Sequence, residues 1–142
     1  PERAALEKLS KRLGVAERVY FAGQIPRQRV GAYLRACNLF VLNSRYEGLP
    51  HVMLEALAIG LPVVAAETGG ISEIVQDSVN GRLVKPGDTD GLRRVITEVL
   101  GDADLCARCA ADRIQTIRRF TPEVMVNATE QVLKGARRQT PA

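Results

Sequence analysis

The chain has 142 residues, of which 46% are hydrophobic and 25% charged, a composition typical of one soluble globular domain. Its longest stretch without charged or strongly polar residues, residues 56–66, has 11 residues, whereas a membrane-spanning helix needs about 20. Three cysteines cannot all pair, which favours a reducing cytoplasm over a secreted, disulfide-stabilised protein.

The net charge of +4 is distributed unevenly along the chain. Residues 1–35 carry +5, residues 36–100 carry −3 and residues 101–142 carry +2. A nucleic-acid-binding protein would gather its basic residues on one face, but here they are spread over several predicted helices and only 4% of the residues are aromatic. Nucleic acid is therefore not an expected partner.

Apolar periodicity, interrupted by Gly and Pro, predicts helices that alternate with strands. The predicted helices cover residues 1–13, a segment with Val30, Tyr33 and Leu34, then 51–59, a turn at 71–75, and 88–100, 103–119 and 122–137. The predicted strands cover residues 18–23, 38–43, 62–66 and 82–85.

The predicted strands at 38–43 and 62–66 are continuous apolar runs, typical of strands that are covered on both faces of a parallel sheet. We therefore predict an α/β fold with a doubly wound, mostly parallel, Rossmann-like sheet, closed by carboxy-terminal helices. Ligands of such sheets bind beyond the carboxyl ends of the strands. The loops expected to bind a ligand are 23–27, 43–51 and 67–72, and Gly69-Gly70 is either a tight turn or a place where backbone approaches a ligand.

Two glutamates follow the strand at 38–43. Glu55 is the one charged residue among the eight residues 52–59, of which the other seven are apolar. We expect this helix to be buried, so that protein or ligand donors must meet the carboxylate of Glu55. Glu47 lies in the loop before the helix, where a ligand would bind.

A helix start lies between these glutamates. Pro50 suits the first helical position, and the amides of His51 and Val52 would then point out of the helix towards an anion such as phosphate. An anion site between two carboxylates fits a ligand with phosphate in its middle and hydroxyls at both ends, as in a sugar nucleotide.

A longer pattern contains these residues. The run NSRYEGLPHVMLEALAIGLPVV at 43–64, followed by GGISEIV at 69–75, resembles the donor-binding, carboxy-terminal half of the GT-B glycosyltransferases of family 4, also described as glycosyl transferases group 1. The likeness extends from about Pro1 to Leu133. It implies the carboxy-terminal half of a GT-B fold and an enzyme that transfers a hexosyl group from a nucleotide-diphosphate sugar, UDP- or GDP-linked, with retention of configuration and without a metal or other cofactor.

The resemblance also implies roles for individual residues. Glu47 would be the catalytic residue that contacts hydroxyls of the donor sugar, and Glu55 would bind the ribose. The amides of His51 and Val52 would hold the diphosphate. The other residues implied in donor binding are Gly23, Gln24 and Ile25 beside the base, with Pro26 after them, and Gly48, Leu49 and Pro50. Many family members have Gly at the position of Pro50, so one amide donor to the sugar is absent here.

The resemblance further predicts that residues 1–142 are the donor half of a larger cytoplasmic enzyme. The chain begins at Pro1 instead of Met, and the family's basic partners of the diphosphate and its amino-terminal acceptor domain are expected before this segment. Arg45 is the one local cation that could replace them. We expect the chain alone to bind donor without catalysing transfer to a glycan, lipid-linked or small-molecule acceptor.

Other interpretations remain open at this point. A GT-B epimerase fragment or a non-catalytic doubly wound interaction module would share the fold. His51 is interpreted as structural, and Cys106 and Cys109, a CxxC pair, as core packing without a second pair for zinc. The basic residues of the last two helices are interpreted as solvated faces, with peripheral membrane contact as the alternative; they are Arg118, Arg119, Lys134, Arg137 and Arg138.

Overall fold

A computed structural model describes residues 2–137, with side chains as far as Lys134. Pro1 and residues 138–142, and with them the predicted basic residue Arg138, lie outside the described part, as does the side chain of Arg137. The chain divides into two compact units, Pro1–Val30 and Gly31–Ala142.

The first unit contains helix α1 (Arg3–Arg12), a short 3-10 helix (Ala16–Arg18) and the beginning of α2 (Arg27–Arg35). Both predicted helices are confirmed, but the predicted strand at 18–23 is wrong. Val19 has extended backbone angles, φ −112° and ψ 116°, yet none of the strands in the described part pairs with this segment. A strand needs a hydrogen-bonded neighbour, and β-prone residues alone do not supply one.

The second unit contains a parallel sheet of three strands, β1 (Phe40–Leu42), β2 (Val63–Ala66) and β3 (Gly81–Val84), in that spatial order. Leu42 lies beside Ala65, and Ala66 lies beside Val84. The helices of this unit are α3 (His51–Ala58), α4 (Ile71–Ile74), α5 (Thr89–Gly101), α6 (Ala103–Arg118) and α7 (Pro122–Arg137). The predicted α/β fold with a parallel sheet is confirmed.

Both faces of β2 are covered: all four of its residues are fully buried. Val64 and Ala66 pack with Val95 and Val99 of α5. Val63 and Ala65 point to the opposite face, since side chains alternate along a strand, and α3 contacts both β1 and β2. The apolar run at 62–66 is therefore the doubly covered strand that its sequence predicts.

The same prediction is wrong for the run at 38–43. β1 pairs only with β2 among the described strands, and Val41 is 39% exposed. β1 is thus an edge strand of the described sheet, and the face that carries Val41 is not covered, because an apolar run alone does not show which segments pack on a strand.

A buried polar cluster joins α6 to the turn before β3. Asn80 is 1% exposed, and its amide nitrogen donates to the carbonyl of Ile74 (3.2 Å) and to the hydroxyl of Thr116 (3.0 Å). Its amide oxygen accepts from the backbone of Gln76 (2.9 Å), and the hydroxyl of Thr116 donates to Asp112. These bonds hold the polar groups in the core at little cost, because a buried polar group is expensive only when it is unpaired.

The interpretations of the cysteines and basic residues are confirmed in part. Cys109 packs in the core, whereas Cys106 is exposed and does not. Arg118, Arg119 and Lys134 are exposed as expected, but Arg119 also donates to the carbonyl of Glu73 (3.0 Å).

Among the described residues, no helix has the length and apolar character that a bilayer crossing demands.

Candidate functional site

The carboxyl edge of the sheet carries the candidate site. Residues 43–50 follow β1 and lead directly into α3, and residues 67–70 follow β2 and lead into α4. Because β1 and β2 are adjacent and parallel, these two segments leave the sheet side by side. This is the edge at which ligands bind in open α/β sheets.

The two segments touch through their backbones. The hydroxyl of Thr68 donates to the carbonyl of Ser44 (3.3 Å), and the amide of Gly70 donates to the carbonyl of Glu47 (3.3 Å). A Cβ at Gly69 would collide with the carbonyl oxygen of Glu47, and one at Gly70 with that of Gly48. The two glycines therefore permit a close approach, but the approaching group is this chain's own backbone.

Helix α3 begins at His51, as its predicted bounds 51–59 have it, but Pro50 does not occupy the first helical position. Pro50 is buried and is the N-cap, with φ −73° and ψ 99°, and the first helical residue is His51. The carbonyl of Pro50 accepts from the amides of Met53 (2.9 Å) and Leu54 (3.4 Å). Within residues 2–137, no backbone acceptor meets the amides of His51 or Val52, as expected for a helix start that can bind an anion.

Glu55 lies on the outward face of α3. The helix buries Met53, Ala56 and Leu57, while Glu55 is half-buried and His51, one turn earlier on the same face, is exposed. The expectation that α3 is buried all round is wrong, because seven apolar residues of eight do not reveal which face the fold leaves open. Within the described part, the carboxylate of Glu55 has no hydrogen bond or ion pair with protein.

Glu47 is half-buried, and the loop after it is open: Gly48 and Leu49 are both exposed. In the described part, the carboxylate of Glu47 has no hydrogen bond or ion pair with protein. Arg45 after β1 and Lys85 after β3 are exposed cations at the same edge. Glu47, residues 48–50, the amides of His51 and Val52, and Glu55 thus follow one another from the end of β1 to the second turn of α3, and their roles in donor binding stay a prediction.

Gly23, Gln24 and Ile25 lie in the first unit, in the loop before α2, and Gly23 has a φ of +67°. Their place beside a base stays a prediction. The described residues contain no group of three or more His, Cys, Asp or Glu side chains arranged to hold a metal ion.

Sequence reasoning did not identify the role of Thr68. Its hydroxyl joins two loops that are 24 residues apart, and no local pattern reports a contact at that separation. The adjacent pair Gly69-Gly70 indicated that some group comes close to this turn, but it did not show whether that group is a ligand or the chain itself.

Comparisons with known proteins identify the family of the chain. The family described as "Glycosyl transferases group 1" matches residues 1–115. The lipopolysaccharide core biosynthesis glycosyltransferase LpsE of Rhizobium meliloti is 37% identical over 133 residues, which are 93% of this chain and 38% of that protein. The chain thus spans little more than a third of this curated relative.

Two solved structures share the fold. Sucrose-phosphate synthase from Thermosynechococcus elongatus superposes with a TM-score of 0.82 at 29% identity, covering 98% of this chain and 35% of that one. Anabaena Alr3699/HepE in complex with UDP gives a TM-score of 0.80 at 30% identity, covering 93% and 36%. The same protein has also been solved with UDP-glucose.

Proposed function

Because the chain belongs to the family Glycosyl transferases group 1, we propose that it forms the nucleotide-sugar-binding, carboxy-terminal part of a retaining glycosyltransferase of family 4. The enzyme would transfer a hexosyl group to a glycan, lipid-linked or small-molecule acceptor. The observation that carries the proposal is the open start of α3, with Glu47 before it and Glu55 on its outward face. The HepE complexes with UDP and UDP-glucose support a UDP-linked donor.

In this proposal each part of the donor meets a different group. The amides of His51 and Val52 bind the diphosphate at the positive end of α3. Glu55 accepts hydrogen bonds from the ribose hydroxyls and Glu47 from hydroxyls of the sugar, which a carboxylate does strongly. Residues 48–50 lie between these two carboxylates in the sequence and contact the donor in this proposal.

Transfer is proposed to occur on one face of the sugar. The bond from the anomeric carbon to the diphosphate oxygen breaks as the acceptor oxygen bonds to that carbon, and the acceptor proton passes to the leaving diphosphate. The α3 amides stabilise the charge that grows on the diphosphate, so that no metal is required for this step. The acceptor is proposed to bind on a separate amino-terminal domain, so that this chain alone binds donor and does not turn it over.

Titration calorimetry of the chain with UDP, GDP and ADP tests the proposal. We expect measurable, weak binding of at least one diphosphate, and Glu55→Ala should weaken it about tenfold, because hydrogen bonds to a charged group contribute about 1.5–3 kcal/mol. Glu17→Ala is the matched control: Glu17 is exposed on the 3-10 helix, and its loss should leave the affinity unchanged. Absence of binding for all three diphosphates would contradict the proposal.

A further inference from the structure

The turn after β2 anchors the loop after β1 at two points. Thr68 holds the carbonyl of Ser44 at the beginning of the loop, and the amide of Gly70 holds the carbonyl of Glu47 at its middle. Between Leu42 and His51 the loop has no helix or strand of its own. Its path therefore depends on contacts with neighbouring segments.

Gly70 shows that the close approach itself is the reason for glycine at that position. Its φ is −79°, a value that any residue adopts, so backbone conformation does not demand glycine there. A side chain is excluded because its Cβ would collide with the carbonyl oxygen of Gly48. At Gly69, by contrast, both a φ of +52° and the collision with Glu47 exclude a side chain.

We propose that Thr68, Gly69 and Gly70 are positioning residues that fix Glu47 and Gly48 against the donor sugar. This inference rests on the proposed function, which assigns Glu47 to the sugar. The contacts reach the backbone of residues 44–48 and not Glu55, which α3 carries. Loosening them should therefore weaken binding of the sugar while leaving binding of the nucleotide intact.

The first test compares UDP-glucose with UDP as probes in calorimetry of the full chain. We expect Thr68→Val to lower the affinity for UDP-glucose about fivefold, the worth of one hydrogen bond. Gly70→Ala should lower it at least as much, because the new Cβ collides with the carbonyl oxygen of Gly48. Both variants should leave the affinity for UDP unchanged. Thr68→Ser keeps the hydroxyl and should restore the wild-type ratio. The matched controls are Thr97→Val, which removes a hydroxyl bonded only within α5, and Gly101→Ala, where a Cβ meets nothing within 4 Å. An equal loss of affinity for both probes would overturn the inference. So would variants that bind UDP-glucose as tightly as the wild type does, when the wild-type chain binds UDP-glucose more tightly than UDP.

The second test does not depend on ligand. Amide hydrogen exchange followed by NMR should show faster exchange of the Gly70 amide in Thr68→Val than in the wild type, in Thr68→Ser or in Thr97→Val. Unchanged exchange in Thr68→Val would overturn the positioning role even if UDP binds. If the wild-type chain binds neither UDP nor UDP-glucose, the proposed function fails, and the exchange rates alone then decide whether the turn holds the loop.

Discussion

At the scale of single residues, the exposure of a side chain determines whether its polar or reactive atoms can meet solvent, reagents or ligands. Glu55 stands among apolar neighbours in the sequence because it lies half-buried on the outward face of α3, where a polar group is not fully removed from water. Its carboxylate stays available to a ligand. The thiol of Cys109 is the opposite case, since it is 2% exposed among the residues that pack on β2.

The three thiols should therefore differ in reactivity. Burial, and then the charge of the neighbouring Cys106, raises the pKa of Cys109 to about 11, and only the thiolate attacks a disulfide reagent. At about pH 8 we expect the exposed Cys37 and Cys106 to react with a chromogenic disulfide reagent, and Cys109 to react only after unfolding in urea. Cys106→Ser should remove one fast thiol and leave Cys37 reactive. Three fast thiols in the native chain would contradict this assignment.

At the scale of elements, the helix ends agree well with the sequence. α3 ends in a Schellman motif, in which the amides of Gly60 and Leu61 donate to the carbonyls of Leu57 (2.9 Å) and Ala56 (3.1 Å). α5 begins at the cap that Asp88 supplies, and its carboxylate accepts from the amide of Gly91 (2.8 Å). Hydrogen bonds of this kind can be predicted from the sequence, because donor and acceptor lie within a few residues of each other.

The cap of α5 can be tested directly. Asp88→Ala should lower the free energy of unfolding by about 1 kcal/mol, because it removes the acceptor for the Gly91 amide. Asp88→Asn keeps a side-chain oxygen and should cost at most about 0.5 kcal/mol. Urea titration followed by circular dichroism measures both. Equal losses in the two variants would show that the charge of Asp88, and not the hydrogen bond, stabilises the helix start.

At the scale of the whole molecule, contacts between distant segments complete what the elements begin. In the second unit, α6 packs against α3, and it also lies close to Gly60 after α3, where a Cβ would lie 2.8 Å from the Cα of Ala110. Gly60 thus has two tasks, since its φ of +77° also ends α3. The close contact with α6 is a tertiary interaction, whereas the end of α3 is determined by local backbone conformation.

A pair of glycine variants separates these two tasks. Gly60→Ala and Gly87→Ala both place alanine at a strongly positive φ, +77° and +81°, but a Cβ at Gly87 meets nothing within 4 Å. We expect Gly60→Ala to lose at least about 1 kcal/mol more than Gly87→Ala in the free energy of unfolding, the cost of overpacking. Similar losses would indicate that α6 moves away without cost.

Much of the fold could be predicted from local patterns. Helices α3, α5, α6 and α7 and strands β2 and β3 lie within two residues of their predicted bounds, since periodicity, caps and glycine stops are local signals. The predicted strand at 18–23 and the double cover of β1 were wrong for one common reason. Both depend on a neighbour, and a neighbour is a property of the tertiary structure.

The same division holds for the candidate site. The sequence by itself supplied the candidate residues, because Glu47, Glu55 and a helix start beside Pro50 follow from residue type and spacing. Only the tertiary structure decided that Glu55 faces outward and that Gly69-Gly70 accommodate the chain's own loop. Those facts depend on which segments the parallel pairing of β1 and β2 brings together at one edge of the sheet. Strands that pair across more than twenty residues cannot be identified from the residues of either segment alone.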